Sequence, residues 1–103
     1  FKLERFEETR SLVRKTMPAM RRVLGESNEV TLKMGLLYAS ALCADPAATI
    51  DDLREAVTTL EDVAPTARRV LGGAHPLVES IERHLRNARA ALRARDTQSS
   101  GGA

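Results

Sequence analysis

The chain has 103 residues, enough for one domain, and only 3% of them are aromatic, so its core must be built from aliphatic side chains. That composition favours helices over sheets. Sixteen basic and fourteen acidic residues are interleaved and leave a formal charge of +2, which argues against a nucleic-acid-binding protein. No apolar run approaches the roughly 20 residues needed to cross a membrane.

The first predicted helix covers about residues 3–24, where apolar residues recur at spacings of three, four and seven. It ends at Gly25, because glycine readily adopts the positive φ of a helix C-cap. Pro18 lies inside the pattern and removes one helical hydrogen bond. We therefore expect a bend or a break near residues 14–18. We expect the same near residues 61–65, because Pro65 lies at the corresponding position.

The second predicted helix covers about residues 29–43, with Asn28 or Ser27 as its N-cap. It is apolar nearly all round, as expected of a helix that is flanked on two sides, and we expect it to be the most buried segment. Gly35 and its small neighbours on this helix allow adjacent backbones to approach closely. A loop follows, because Pro46 cannot continue the helix.

The third predicted helix covers about residues 50–72 and starts with a capping box formed by Thr49 and Asp52. The fourth covers about residues 76–95, with Pro76 at its first position and a single narrow apolar stripe, so it should pack on one side only. Residues 97–103 have nothing apolar to bury and are expected to form a disordered tail.

A repeat relates the two halves of the chain. The sequence RRVLG at residues 21–25 returns at residues 68–72, which is 47 residues later, and Pro18 matches Pro65 at the same offset. A fixed period of this size is typical of stacked helical hairpins. Two copies are fewer than the three or so that such arrays usually need to be stable alone.

The second copy carries the motif of a known family. The pair Glu55-Ala56 followed by residues 70–76 (VLGGAHP) resembles a tetratricopeptide repeat of the kinesin light chain type, in which Glu-Ala precedes Leu-Gly-x-x-His-Pro. In the first copy Thr9 replaces the alanine, and Asn28-Glu29 replaces His-Pro. The resemblance implies an all-α fold over residues 1–96, a right-handed stack of two helical hairpins. Its repeats would be residues 29–72 and 76–95, with residues 3–24 as the second helix of a preceding repeat.

The resemblance also implies a function, which is the binding of other proteins without catalysis or a cofactor. In this family the first helix of each pair lines a concave face that holds an extended peptide or protein segment, and basic side chains there suit an acidic partner. The residues that this placement assigns to the partner-binding surface are Lys33, Leu37, Ser40, Ser80, Arg83, His84 and Asn87.

Other interpretations stay open. The same polar stripe is also what a plain solvated helix face looks like. The chain could instead be a structural subunit of a larger assembly or a homo-oligomer, and the exposed side of the first helix is the surface for that. An enzyme or ligand carrier would need Cys43 and His84 as thiol and base. The single cysteine excludes an internal disulfide and favours a reducing compartment such as the cytoplasm.

Overall fold

Four helices make up the part of the chain that the computed structural model describes, which is the backbone of residues 2–45 and 47–101 and the side chains of residues 7–45 and 47–97. They are α1 (Lys2–Leu24), α2 (Glu29–Ala44), α3 (Ile50–Leu71) and α4 (Pro76–Gly101). No strand occurs in these ranges. The prediction of an all-α fold is confirmed.

The two copies of RRVLG end their helices in the same way. Gly25 has a φ of 87° and Gly72 a φ of 89°, as predicted for glycine C-caps. Each glycine N–H donates to the carbonyl four residues earlier, Arg21 and Arg68 respectively, at 3.0 Å. The repeated sequence thus forms a repeated backbone structure.

The helix starts also correspond. The Asn28 side chain accepts a hydrogen bond from the Val30 N–H at 2.8 Å, and Nδ1 of His75 accepts one from the Leu77 N–H at 3.0 Å. At α3 the predicted capping box of Thr49 and Asp52 is present. These side chains satisfy amide groups that a helix leaves without partners in its first turn.

The fourth helix is longer than predicted. It ends at Gly101, whereas the sequence predicted an end near residue 95 and a disordered tail over residues 97–103. The last predicted residues of this helix, 90–95, are mostly alanine and arginine, which are strong helix formers. The helix continues beyond them because extending an existing helix costs much less than starting one. Residues 102 and 103, Phe1, Pro46 and the side chains of Leu3 and Phe6 lie outside the described residues.

Both internal prolines are tolerated. Helices α1 and α3 run through Pro18 and Pro65 without interruption, so the alternative of a break into two shorter helices is wrong. Each proline forfeits one hydrogen bond, and the buried residues beside them, Met17 and Ala64, hold the helices in the core.

The backbone of α2 approaches those of all three other helices, and the backbone of α3 also approaches that of α4. Helix α1 approaches only α2 in this way and reaches α3 through its side chains. The core is aliphatic apart from one tyrosine. Its buried members are Val13, Met17, Leu32, Tyr38, Ala39, Leu42, Ala56, Val57, Leu60, Val63, Ala64, Ala67, Leu77, Val78, Ile81, Leu85 and Ala88.

Helix α2 is less completely covered than its apolar sequence predicted. Val30 is 49% exposed and Leu37 is 54% exposed, because no element of the described chain packs on that side of the helix. The opposite side is packed closely. A Cβ atom at Gly35 would lie 2.8 Å from Cγ1 of Val63, so the predicted close approach of neighbouring helices is present.

Arginine side chains connect α1 to α3. Arg14 donates to the Tyr38 hydroxyl at 3.0 Å and to a carboxylate oxygen of Glu55 at 3.1 Å, and the Tyr38 hydroxyl donates to Glu55. Burial is the main cause that raises the pKa of Tyr38, followed by its hydrogen bond to Glu55. The network joins α1, α2 and α3 through polar groups.

The loop between α2 and α3 is held from both ends of the chain. Arg10 of α1 lies 3.5 Å from a carboxylate oxygen of the buried Asp45 and 3.2 Å from one of Asp52. From α4, Arg95 donates to the carbonyl oxygen of Ala48 at 2.9 Å. The longest predicted loop is therefore fixed by ionic and hydrogen-bonding contacts.

Candidate functional site

A groove of about 400 Å³ lies between α2 and α4, and we call it the α2/α4 groove. Its walls are mainly small and apolar, with a few polar side chains among them. The lining residues are Ala39, Ser40, Cys43, Ala44, Leu60, His84, Asn87, Ala88 and Ala91. Mostly apolar walls with a few polar groups are typical of binding sites.

The groove contains only part of the predicted binding surface. Ser40, His84 and Asn87 line it, together with Cys43. The other four predicted residues do not. These four, Lys33, Leu37, Ser80 and Arg83, lie nearer the N-terminal ends of the same helices. Leu37 is exposed, and the ammonium group of Lys33 is 3.8 Å from a carboxylate oxygen of Glu29.

His84 has a defined orientation. Its Nδ1 lies 2.7 Å from the carbonyl oxygen of Ser80. Because a carbonyl oxygen can only accept, Nδ1 must carry the proton, and the other nitrogen of the neutral ring, Nε2, is left as an acceptor. Helix α4 itself therefore positions His84 to accept a hydrogen bond from a bound group.

Cys43 is exposed but borders the apolar wall of the groove. Desolvation there raises the pKa of its thiol. The thiol therefore stays protonated at neutral pH, whereas a nucleophilic cysteine needs a lowered pKa. This environment does not activate the thiol as a nucleophile.

Three arginines of α4 form a basic edge, which we define as Arg83, Arg86 and Arg93. All three are exposed, and none forms an ion pair with another described residue. Arg89, in contrast, pairs with Glu61 of α3 at 2.8 Å. Glu82 of α4 pairs with Arg68 of α3 at 2.9 Å and so does not pair with the arginines of its own helix.

Sequence reasoning missed a second cavity of about 260 Å³, where the turn between α1 and α2 meets α3. We call it the turn cavity, and it is lined by Arg21, Glu26, Thr31, Leu32, Asp62, Val63 and Thr66. One signal was available. At the 47-residue offset Thr31 corresponds to Val78, so a hydroxyl replaces a methyl group at an otherwise apolar position.

The described residues contain no group of three or more histidines, cysteines or acids arranged to hold a metal ion, and none of their helices is long and apolar enough to span a membrane. Comparison with known proteins finds no family model that matches, no similar curated protein and no similar solved structure. The geometry of the two cavities is therefore the basis for assigning a function.

Proposed function

We propose that the chain is a non-enzymatic protein-interaction module that binds an extended segment of a partner protein in the α2/α4 groove. The observation that carries this proposal is the groove itself, in which Ser40, His84 and Asn87 converge on an apolar floor. An apolar side chain of the partner would fill the groove. The Asn87 amide can both donate to and accept from the partner's backbone, and Nε2 of His84 can accept from it.

The basic edge indicates what the partner segment carries. Arg83, Arg86 and Arg93 are exposed on α4, the helix that forms one side of the groove, and they form no ion pair within the described chain. Guanidinium groups bind carboxylates with two parallel hydrogen bonds. The proposed partner segment is therefore acidic, with at least one apolar residue.

Two further observations support a binding role over catalysis and a tetratricopeptide-like arrangement over an unrelated bundle. The raised pKa of the Cys43 thiol disfavours the thiol and base pair that an enzyme would need. The matching φ values of Gly25 and Gly72 indicate that the two copies of RRVLG are equivalent units. Stacked equivalent units are what a helical repeat protein consists of.

The proposal can be tested with short random peptides displayed on phage and selected on the immobilised chain. We expect acidic peptides with an apolar residue to be enriched. In fluorescence anisotropy, His84→Ala, Asn87→Ala and the groove-filling Ala91→Leu should each weaken binding of a selected peptide at least tenfold. Arg89→Gln is the matched control on α4, since Arg89 is paired with Glu61. Selected peptides whose affinity is unchanged by all three groove substitutions would refute the proposal.

One observation favours a second function, that of a subunit in a larger assembly or homo-oligomer. Leu12 is 66% exposed and Val23 is 81% exposed on α1. They are eleven residues apart, about three helical turns, and so share one face. Sedimentation equilibrium that detects self-association, abolished by Leu12→Gln with Val23→Gln, would support this function, and a monomer at all concentrations would exclude the homo-oligomer.

A further inference from the structure

One polar group in the core is unsatisfied. Thr31 is 2% exposed, and its hydroxyl oxygen has no hydrogen-bond partner within the described chain. Leaving a buried polar group without a partner costs about 1–3 kcal/mol. The corresponding residue in the second repeat is Val78, which is fully buried. The fold therefore does not require a hydroxyl at this position.

The Thr31 side chain lines the turn cavity, which has a volume of about 260 Å³. That is several times the space that one water molecule needs. It is also somewhat less than the ~300–1,000 Å³ of pockets that bind drug-sized ligands. The size suits a small organic molecule of a few heavy atoms.

Three charged residues line the same cavity without neutralising one another. Arg21, Glu26 and Asp62 take part in none of the ion pairs of the described residues, even though all three border one space. One positive and two negative groups therefore border the same space without pairing. A ligand that carries charges of both signs could contact all of them.

The second copy of RRVLG, at residues 68–72, shows how the same arginine behaves when a partner is available. Arg68, which corresponds to Arg21, is paired with Glu82 at 2.9 Å. The residue that corresponds to Glu82 in the first repeat is Gly35, so Arg21 has no equivalent partner. At Gly73 a Cβ atom would lie 3.1 Å from the Arg68 guanidinium, and in the first repeat this position is Glu26. Arg21 would therefore have to shift by a few tenths of an ångström from the arrangement of Arg68 to make room for the Cβ atom of Glu26.

We propose that the turn cavity binds a small zwitterion that carries an ammonium and a carboxylate group, of which a free α-amino acid is the simplest. The Arg21 guanidinium binds the carboxylate. The carboxylates of Asp62 and Glu26 bind the ammonium group, and the Thr31 and Thr66 hydroxyls complete the hydrogen bonds. An anion alone would leave two carboxylates uncompensated, and a cation alone would leave Arg21 uncompensated.

This site is separate from the proposed peptide site. The turn cavity shares no lining residue with the α2/α4 groove. It involves α1, which contributes nothing to the lining of that groove. The two proposals can therefore fail independently.

The test is an NMR titration of the ¹⁵N-labelled chain with glycine, L-alanine and β-alanine, and with ethylammonium chloride and sodium acetate at matched ionic strength. We expect saturable amide shifts around residues 21–31 and 62–66 with at least one zwitterion. Each single-charge compound should bind at least tenfold more weakly. The two alanine isomers differ in charge separation, so their affinities report the spacing between the charged walls.

Substitutions assign the binding to the cavity. Arg21→Gln and Asp62→Asn should each weaken binding at least tenfold, and the neighbouring exposed arginine supplies the matched control, Arg22→Gln, which should leave it unchanged. Thr31→Val should weaken binding several-fold while raising the melting temperature of the unliganded chain. Non-saturating shifts, equal affinity for ethylammonium or acetate, or equal effects of Arg21→Gln and Arg22→Gln would overturn the proposal.

Discussion

The turn between α1 and α2 and the turn between α3 and α4 have the same backbone but different surroundings. In both, a glycine with positive φ ends one helix and a side chain three residues later caps the next. Beside the second turn, Arg68 of α3 forms an ion pair with Glu82 of α4. Beside the first turn lies the turn cavity, which is lined in part by charged and hydroxyl groups.

This difference separates the residues that form the repeat from those that give each copy its role. The glycine and the cap are needed in both copies, although the cap can be either asparagine or histidine because each offers an acceptor. The residues that follow the turn need not be the same in the two copies, since one copy has Val78 and Glu82 where the other has Thr31 and Gly35. Ligand binding is therefore expected where the two copies differ.

The largest effect on stability is expected when the second copy is given the buried threonine of the first, at the position of Val78. Val78→Thr places a hydroxyl in a fully buried site and should lower the free energy of unfolding by about 1–3 kcal/mol. The reverse change, Thr31→Val, should raise it, because an unsatisfied hydroxyl is removed. Urea denaturation measures both. Stabilisation by Val78→Thr, or destabilisation of the unliganded chain by Thr31→Val, would contradict this account.

How far the sequence predicted these features depends on the range of the interactions. Helix ends were predicted to within one residue at Gly25, Asn28 and Thr49, because caps are set by residues a few positions away. The end of α4 was not, since no cap or proline marks it. The bonds of Arg14 to Tyr38 and Glu55 depend on how three helices approach one another, and no local pattern contains that information.

The candidate site was predicted in part for a similar reason. The resemblance to tetratricopeptide repeats placed Ser40 and Lys33 on one face of α2, where Lys33 is exposed and Ser40 is partly exposed. The α2/α4 groove, however, follows only residues 39–44 of that helix and residues 84–91 of α4. Spacing identifies a face of a helix, whereas the position of a groove along that face depends on where the neighbouring helix leaves a gap.

A second prediction concerns the position where Gly35 in the first repeat corresponds to Glu82 in the second. In Gly35→Ala the new Cβ would meet Val63, which is buried and stiff at χ1. Overpacking of this kind costs about 1–3 kcal/mol, partly offset by the ~1 kcal/mol that alanine gains over glycine in a helix. A net loss of up to about 2 kcal/mol is expected in thermal or urea unfolding.

Two controls define this result. Glu82→Ala at the corresponding position should cost less than about 1 kcal/mol, because the pair with Arg68 is largely exposed. Adding Val63→Ala to Gly35→Ala should cost less than the sum of the two single changes, because it removes the atoms that collide. Strict additivity would show that the close approach is not the cause.

A smaller effect tests whether the two caps are interchangeable. Asn28→Ala and His75→Ala each remove the acceptor of one first-turn amide and should cost about 1 kcal/mol. His75→Asn should retain most of the stability, since Asn28 performs the same task in the first turn. Chemical denaturation of the three variants measures this. A His75→Asn chain as unstable as His75→Ala would show that the ring contributes something other than its acceptor.

The smallest effect distinguishes α3, whose cap includes a carboxylate, from α2 and α4. The Thr49 backbone N–H, which donates to Asp52 at 3.0 Å, is the main cause that lowers the pKa of that carboxyl, and Arg10 adds to the shift. A lowered pKa in the folded state means that the charged carboxylate stabilises the fold at neutral pH. This contribution is lost as the pH falls below about 4, the usual value for aspartate, towards the lower pKa of the folded chain.

Asp52→Asn should therefore reduce stability at pH 7 by about 1 kcal/mol or less, since the pair with Arg10 is only partly buried. The difference from the parent chain should shrink as the pH falls below the folded-state pKa, where both chains carry a neutral group. Urea unfolding at a series of pH values measures the two curves. Parallel curves would mean that the Asp52 charge contributes nothing, and that α3, like α2 and α4, begins with a cap that acts only through its hydrogen bonds.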